Sequence, residues 1–339
     1  MKRLWPIALL ACGRVATSDT LPGQPPSARP GPPPTTNVDT FAVHEFFLGE
    51  TYRDLTLSPS AWKTYGYNLD GKLTTATSTD VCTPNPNAYD SELDGDDGID
   101  NAFGHVFVPV IAGTGADVPT LSVTATQAIQ AGDWTLQIQV AGLSDDPAQT
   151  SEGLVARVFS SGAYSPGNMP AFDESTSWPV LSSSLNDGQS IASGAAATFP
   201  DAYVVGGTFV SGPSPADLPL RLVFQGTPLD LVLHDPIVTF VHASRADAID
   251  GTIAGVLDVQ ELLVALYAQA SHISTSLCGS GFDGIARQIE AAADILVDGT
   301  NAPGVACTGI SVGFGFKAKR IANPTAVTQV VPLNNLCSN

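Results

Sequence analysis

The sequence predicts a mainly β protein, an antiparallel β-sandwich or jelly roll with two α-helices near the C-terminus. Of its 339 residues, 43% are hydrophobic, so the chain can bury a sizeable core. Apolar segments rich in Val, Thr, Phe and Ile show partial alternation, and Gly, Pro, Asp and Ser separate them. No convincing helical period precedes about residue 250. Many short strands joined by polar turns favour this architecture over a parallel α/β sheet.

Six segments carry the strand pattern most clearly: 120–129, 133–143, 153–164, 197–212, 218–243 and 309–322. The run HVFVPVI, residues 105–111, is expected to begin a further part of the sheet. The sequence GISVG around Ser311 matches the G-x-S-x-G of hydrolases, but that motif needs a helix after its serine. Because GFGFKAKRI follows and alternates like a strand, we expect Ser311 in mid-strand, with no catalytic role.

Two helices are expected near the C-terminus, within residues 256–299. In LDVQELLVALYAQAS, Asp258 caps the helix and Glu261 completes a capping box. In FDGIARQIEAAADILVDG, Asp283 is the predicted cap, and Gly299 stands where a left-handed stop is expected. Both helices show one apolar face, which predicts that they pack on one edge or face of the sheet.

The N-terminus has the anatomy of an export signal. Lys2 and Arg3 precede a short apolar run, residues 4–11, that cannot span a bilayer as a helix. The sequence LLAC, ending at Cys12, resembles the lipobox of bacterial lipoproteins, in which the cysteine becomes the lipidated first residue. The Gly that follows, in place of Asp, suits delivery to the outer membrane. The alternative is an ordinary secretory signal with a chance cysteine.

The number of cysteines agrees with export. The five cysteines are Cys12, Cys82, Cys278, Cys307 and Cys337. A lipidated first cysteine leaves four, which allow two disulfides in three connectivities. We expect Cys278–Cys307, which would join the second helix to the strand near residue 309, and by exclusion Cys82–Cys337, although sequence alone does not set the pairing. No CxxC pair is present, which argues against a zinc site.

Composition divides the chain into a leader at 1–11, a Pro-rich tether at 12–40 and a globular domain at 41–339. The tether lacks hydrophobic periodicity, so we expect an extended spacer. The formal charge is -19, from 14 Lys and Arg against 33 Asp and Glu. Such a surface repels a phosphate backbone, which excludes nucleic acid as a partner and leaves cations or neutral polymers such as polysaccharides.

Two blocks within an acidic loop region, residues 66–104, predict a calcium site. In YGYNLDGKL and SELDGDDGIDNAFG, oxygen-bearing side chains lie close together around glycines. Calcium takes six to eight hard oxygen ligands, commonly from closely spaced Asp and Asn with a Gly at the turn. The predicted ligands are Asn68, Asp70, Asp94, Asp96, Asp100 and Asn101. The spacing resembles the calcium loops of EF-hands and thrombospondin type 3 repeats, but it lacks their terminal Glu and tandem copies. The alternative is a solvated polar turn.

Several longer blocks carry a wider resemblance: FAVHEFFLGET, AWKTYGYNLDGKLTT, STDVC, DGDDGIDNAFG and CTGISVGFGFKA. Together they resemble a group of secreted proteins and lipoproteins from GC-rich, myxobacteria-like Gram-negative bacteria. The group has no activity to carry over. The resemblance implies a location outside the cytoplasm, and it supports calcium and disulfides because the two acidic blocks flank Cys82.

Two function classes remain after these arguments. The first is a non-enzymatic binding or structural module at the cell surface, anchored by lipid to the outer membrane on its periplasmic or outer side, with a polysaccharide or another envelope protein as partner. A secreted protein without the lipid is the alternative location. The second class is a carbohydrate-active hydrolase with paired carboxylates in a cleft lined by aromatics. The tryptophans Trp62, Trp134 and Trp178 could stack on sugars there, and core packing is their other use.

Overall fold

The computed structural model describes residues 23–86, 88, 93–113, 120–164, 169–213, 216–224, 226–274, 277–331, 333 and 335–337. The strands are β1 (Val38–Phe47), β2 (Leu136–Ala141), β3 (Ser151–Ser160), β4 (Val180–Leu181), β5 (Ala197–Val205), β6 (Thr208–Val210), β7 (Leu218–Phe224), β8 (Thr227–His242), β9 (Asp247–Asp258), β10 (Gly309–Ile321) and β11 (Val327–Thr328). The helices are α1 (Val108–Gly113), α2 (Leu121–Ala131), α3 (Val259–Ile273) and α4 (Asp283–Glu290). The prediction of a mainly β protein is confirmed.

Nine strands form one antiparallel sheet in the order β6-β5-β3-β2-β1-β10-β9-β8-β7. The long strand β8 pairs with β7 through its first half and with β6 through its last residues, at Thr239–Val241. This additional pairing brings the first strand of the sheet back to its eighth, so the sheet closes on itself. A separate pair, β4 and β11, is parallel. Among the described strands the hydrogen bonds therefore define one closed sheet, and the expected sandwich or jelly roll is not confirmed.

The largest core lies between the strands and the helices packed on them. Its aromatic centre includes Phe46, which contacts Trp134 at 5.6 Å and Phe314 at 5.2 Å between ring centroids. On β10 the residues Ile310, Val312, Phe314 and Phe316 are all fully buried. Burial of side chains of this size contributes about 1.5–3 kcal/mol each, so this cluster stabilises the fold strongly.

Gly313 allows a loop to lie directly on β10. A Cβ at this position would sit 2.2 Å from the carbonyl oxygen of Tyr65. The absence of a side chain lets residues 61–67 pass across the strand, and Asn101 fixes the crossing because its Oδ1 accepts a hydrogen bond from the Gly313 amide at 3.0 Å. This contact places the acidic loop region against the sheet.

Segment 120–129, predicted to be a strand, is helix α2, so that prediction is wrong. The buried residues Ser122, Ala125, Thr126 and Ile129 follow a helical spacing on one face. The cap is Thr120, whose hydroxyl accepts a hydrogen bond from the Val123 amide at 3.3 Å. The Val and Thr content suggested a strand, but polar contacts with β1 decide the outcome. The Phe46 amide donates to Thr126 Oγ1, and the Leu48 amide donates to Ser122 Oγ.

The run at 105–111 does not begin a strand either. A π-helical turn at Phe103–Phe107 leads into α1. Its start is fixed by Asn101, whose Oδ1 also accepts a hydrogen bond from the Gly104 amide at 2.9 Å. Pro109 lies just after this π-helical turn, within α1. The acidic loop therefore leads into helix and not into the sheet.

Helices α3 and α4 lie in the expected part of the chain. Asp258 caps α3, and its Oδ1 accepts hydrogen bonds from the amides of Gln260 and Glu261 at 2.7 and 3.0 Å. The second helix is shorter than predicted, and its cap is Phe282, one residue before the predicted Asp283. After α4 the chain turns back to the sheet, where Ile295 pairs with Gly309. No helix among the described residues combines the length and apolar character that a membrane crossing requires.

The four cysteines after Cys12 form two disulfides, but the predicted pairing is wrong. The bonds are Cys82–Cys307 and Cys278–Cys337. Residues 291–308 leave the helix and reach the acidic loop region, where the Thr83 amide donates to the carbonyl of Val305 and the Cys307 amide donates to that of Thr83. The C-terminal tail returns instead to α3, where the Leu336 amide donates to Ser271 Oγ at 3.1 Å.

The Pro-rich segment contacts the domain over its described part. Strand β1 begins at Val38, inside the segment predicted to be tether. The Thr35 hydroxyl donates to the carbonyl of Leu143 at 2.6 Å, and Asn37 accepts a hydrogen bond from the Gly142 amide at 2.8 Å. The leader and Cys12 lie outside the described residues.

Candidate metal centre

The acidic loop ends in a tight turn at Asp96–Gly98. Asp97 and Gly98 both have left-handed backbone angles, with φ of 56° and 84°. The turn is closed by a hydrogen bond from the Gly95 amide to the carbonyl of Ile99 at 2.7 Å. Gly98 is required twice, because a Cβ there would also lie 2.7 Å from Asn68 Nδ2. The turn is therefore shaped to pack against the earlier block around Asn68.

Three aspartates from the two blocks meet beside this turn, and we call Asp70, Asp94 and Asp100 the carboxylate cluster. Asp100 Oδ2 accepts hydrogen bonds from the amides of Leu69 at 2.6 Å and Asp70 at 3.3 Å. Asp94 Oδ2 accepts from the Thr74 amide at 2.5 Å. The two blocks are joined by the pairing of Tyr67 with Asp100. Backbone amides thus hold the carboxylates, and the carboxylates remain able to accept more positive charge.

The cluster concentrates negative charge in a poorly solvated place. Burial raises the pKa of Asp94 to about 6, and the nearby charge of Asp70 adds to the rise. Burial also raises the pKa of Asp100 well above its usual range, with further contributions from Asp70, Asp294 and Asp94. The carboxyl groups of Asp94 and Asp100 lie within hydrogen-bonding reach of each other. At neutral pH the pair therefore either retains a proton or repels itself.

No cationic side chain among the described residues relieves this repulsion. Lys72, the basic residue within the first block, points its Nζ to Asp80, where it contacts the carbonyl oxygen and lies 3.4 Å from Oδ2. The cluster therefore differs from an ordinary ion pair, since its charge is balanced only by amide dipoles and by protons.

Asp294 lies next to the cluster and is used by the sheet. It is buried, and both of its oxygens accept hydrogen bonds from Ser311, Oδ1 from the amide at 2.8 Å and Oδ2 from the hydroxyl at 2.5 Å. Burial raises the pKa of Asp294 to about 7. Ser311 stands inside β10, which confirms the mid-strand prediction. Its hydroxyl also accepts from the Ala102 amide at 2.9 Å, so the pair joins the acidic loop to the sheet.

The six predicted ligands separate into two sets. Asn68 lies beside the cluster, and its Oδ1 is buried without a hydrogen-bond partner in the part of the chain that the structure describes. Asn101 is also buried, but its Oδ1 accepts from two backbone amides and its Nδ2 donates to three carbonyls. Asp96 is exposed on the turn. The structure thus brings together Asn68, Asp70, Asp94 and Asp100, and it gives Asp96 and Asn101 other places.

Two residues at the site were missed by sequence reasoning. Asn301 donates from Nδ2 to Asp70 Oδ2 at 3.0 Å, and its Oδ1 accepts from the Cys82 amide. Asp294, assigned to a helix in the sequence analysis, contributes charge to the cluster. Both come from the segment that the Cys82–Cys307 disulfide fastens. No local sequence pattern marks these two residues. They contact Cys82 in the structure but lie more than 200 positions after it in the chain.

The donors at this site are oxygens, which suit a hard cation such as calcium. Within the described ranges, no group of three or more His, Cys, Asp or Glu side chains is already arranged to hold a metal ion. Calcium also accepts amide and backbone carbonyl oxygens, so Asn68 Oδ1 fits its donor set although it lies outside that count. Ser311 Oγ donates to the Asp294 carboxylate, but both side chains are buried, so this pair is not open to a substrate.

The aromatic platform expected of a sugar-cleaving site is not formed by the three tryptophans. Trp62, Trp134 and Trp178 are all buried, so core packing is their use. One groove lies between β8 and α3 and is lined by apolar residues with Asp230, Asp258 and Glu261 at its rim. A second groove is lined by Pro25, Tyr203 and Asp235, among others. Neither groove contains the carboxylate cluster.

Comparisons with known proteins add no family to these observations. No protein-family model matches the chain, and neither a curated protein nor a solved structure shows significant similarity to it.

Proposed function

We propose that the protein is an envelope lipoprotein whose calcium-stabilised, disulfide-bonded β domain acts as a binding or structural module at the cell surface. The observation that carries the proposal is the meeting of partly buried Asp94 with buried Asp100, two carboxylates without a cationic partner among the described residues. Proteins bury such pairs where a metal ion or a proton neutralises them. Calcium fits because the surrounding donors are oxygens.

The revised ligand set is Asn68, Asp70, Asp94 and Asp100. It keeps four of the residues predicted from the sequence. It omits Asp96, which is exposed on the turn, and Asn101, whose side chain is already hydrogen-bonded to the backbone. Asn301 would orient Asp70 through its hydrogen bond, as groups behind metal ligands commonly do. The ion would remove the repulsion between Asp94 and Asp100 and hold the two acidic blocks together.

The location rests on the cysteines and the leader. All four cysteines after Cys12 are in disulfides, which are typical of proteins that leave the cytosol. Cys12 is then the one cysteine left for lipid, which supports attachment to the outer membrane. The partner we propose is a polysaccharide or another envelope protein, because the acidic charge of the chain disfavours phosphate polymers.

Calorimetric titration of the chelator-treated chain with calcium tests the metal site. We expect saturable binding that Asp100→Asn abolishes. The matched control is Asp96→Asn, the same substitution on the exposed turn, which should leave the affinity unchanged. If neither the calorimetric heat nor the melting temperature responds to calcium or chelator, the calcium proposal is wrong. A mass spectrum of the mature protein tests the anchor, since an unmodified N-terminus other than Cys12 would refute it.

A further inference from the structure

Residues 23–37, which we call the N-terminal strap, lie along the domain from the acidic turn to β1. At the β1 end, the Thr35 amide donates to the carbonyl of Gly142 at 3.3 Å. Midway, the hydroxyl of Tyr203 on β5 donates to the carbonyl of Pro26 at 2.8 Å. A Pro-rich segment has few amide hydrogens to donate. These contacts therefore use its backbone carbonyls and the amide of Thr35.

The other end of the strap is seated on the acidic loop region. The carbonyl of Gly23 accepts a hydrogen bond from the Asn68 amide at 2.8 Å, and Gln24 Nε2 donates to the carbonyl of Asn68. Gly23 has a φ of 70°, and a Cβ on it would lie 2.5 Å from the carbonyl oxygen of Asp97. The strap therefore approaches the turn so closely that only glycine fits at this position.

Asn68 connects the strap to the carboxylate cluster. Its main chain bonds the strap, and its side chain is only 9% exposed, with an unpartnered Oδ1 among the described residues. The next amide in the chain, that of Leu69, donates to Asp100. The surface on which the strap sits is therefore built from the same two blocks that carry the carboxylates.

We propose that a calcium ion at the carboxylate cluster holds the N-terminal strap on the domain, and that loss of the ion releases the strap and lengthens the tether. This inference rests on the calcium site of the proposed function and adds its regulation. Without the ion, the carboxyl groups of Asp70, Asp94 and Asp100 lose the counterion that they share, and the two blocks are no longer held together. The strap then loses the Asn68 hydrogen bonds and the fit of Gly23 against Asp97.

The consequence for an anchored domain is a change in reach. With the strap seated, ten residues, 13–22, separate Cys12 from Gly23, and they extend at most about 40 Å. With the strap released up to β1, residues 13–37 separate Cys12 from Val38, and their limit is about 90 Å. Calcium would thus keep the acidic turn near the membrane, and its removal would free the domain to sample a larger volume.

Thermodynamic coupling gives the first test. If calcium favours the seated strap, the seated strap must favour calcium by the same factor. In the full chain, Gly23→Val forces a side chain against Asp97 and should weaken calcium binding about 5- to 10-fold by calorimetry, the lower part of the range typical of such coupling. The matched control is Ala28→Val on an exposed part of the strap, which should bind calcium like the parent chain.

The second test measures the strap itself. Spin labels at Ala28→Cys and Glu152→Cys, in a full chain carrying Cys12→Ser, report the distance from the strap to exposed Glu152 on β3. We expect one narrow distance distribution with calcium and a broad, longer one with chelator, and Asp100→Asn should give the broad distribution in both conditions. Calcium binding by calorimetry with the same narrow distribution in chelator would overturn the strap inference and leave the metal site intact. Absence of calcium binding would overturn both.

Discussion

Acidic side chains on the strands and those in the carboxylate cluster are neutralised differently. Glu45 on β1 lies 2.7 Å from Lys317 Nζ, and Asp247 on β9 contacts Lys319. The hydrogen bond from Lys319 lowers the pKa of Asp247. In the cluster, by contrast, amides and a neighbouring carboxyl are the contacts, and burial raises the pKa of Asp94. Contacts with lysine therefore favour the charged form of the carboxylates on the strands, whereas burial disfavours the charged form of the carboxylate cluster.

The difference shows how this chain distributes few cations among many anions. With 14 Lys and Arg against 33 Asp and Glu, most carboxylates must be solvated, protonated or bound to something outside the chain. Three of the basic residues, Lys317, Lys319 and Arg320, lie near the C-terminal end of β10 and pair with acidic residues of neighbouring strands and loops. The acidic loop region lies near the other end of β10, and its proposed counterion is calcium.

Removal of the disulfide beside the cluster should give the largest effect. The double variant Cys82→Ser/Cys307→Ser releases the segment that carries Asp294 and Asn301. We expect a loss of about 2–5 kcal/mol in the free energy of unfolding, measured with denaturant. Calcium affinity should fall as well, because Asn301 no longer orients Asp70.

The other disulfide provides the control for this comparison. The Cys278–Cys337 disulfide closes a shorter loop, with a sequence separation of 59, and fastens the tail to the region of α3. Its removal in Cys278→Ser/Cys337→Ser should lower stability yet leave calcium affinity unchanged. Equal losses of calcium affinity in the two double variants would show that global destabilisation, and not the position of Asn301, weakens the site.

The pH dependence of stability should distinguish the two regions next. In chelator, we expect the free energy of unfolding to decrease by about 1–3 kcal/mol from about pH 5.5 to 7.5, after allowance for the partial exposure of Asp94. Burial raises the folded-state pKa of Asp94 to about 6 and of Asp294 to about 7. Unfolded aspartate titrates near 4, so in this window the folded state binds more protons and loses that advantage as pH rises.

Two measurements separate the contributions to this slope. Saturating calcium should stabilise the ionised cluster and raise stability most at the upper end of the window, and Asp294→Asn should remove the part due to Asp294. Asp247, whose pKa is lowered, loses its stabilising effect only as pH falls through the acidic range below this window. If the free energy of unfolding in chelator does not change from pH 5.5 to 7.5, burial does not raise the pKa of these carboxyl groups in the folded state.

The sequence predicted the strands where alternation was long and flanked by turns, as in β5, β8 and β10. It failed at α2, since Thr and Val favour strands in isolation, and the polar contacts of Ser122 and Thr126 with β1 are tertiary. It also missed β9, because this strand is rich in Gly, Ala and Asp, which are depleted in strands. Closure of the sheet through β6 and β8 depends on pairing over about 30 residues, which no local pattern records.

The site was predictable only in its local part. The acidic blocks pointed to Asn68, Asp70, Asp94 and Asp100, which the structure brings together, because the spacing of their oxygens resembles that of calcium loops. Asp294 and Asn301 arrive through the return of the chain after α4, and the disulfide pairing that would have revealed this return was one of three. Asn101 was predicted to be a ligand because an asparagine side chain can serve as a ligand or as a cap. In the structure its Oδ1 accepts hydrogen bonds from the amides of Gly104 and Gly313, which is the role of a cap.

The smallest effect is expected where the carboxylate already has a cation. Glu45→Gln removes the charge of the pair with Lys317 on a partly exposed face, and such pairs contribute about 0–1 kcal/mol. A double-mutant cycle with Lys317→Met should give a coupling free energy in that range, and calcium affinity should match that of the parent chain in all three variants. We therefore expect the same Asp-to-Asn or Glu-to-Gln change to cost little on β1 but to abolish calcium binding at Asp100. A cycle coupling well above 1 kcal/mol, or weaker calcium binding in Glu45→Gln, would mean that the two acidic regions are electrostatically linked across β10, and the contrast between them would then fail.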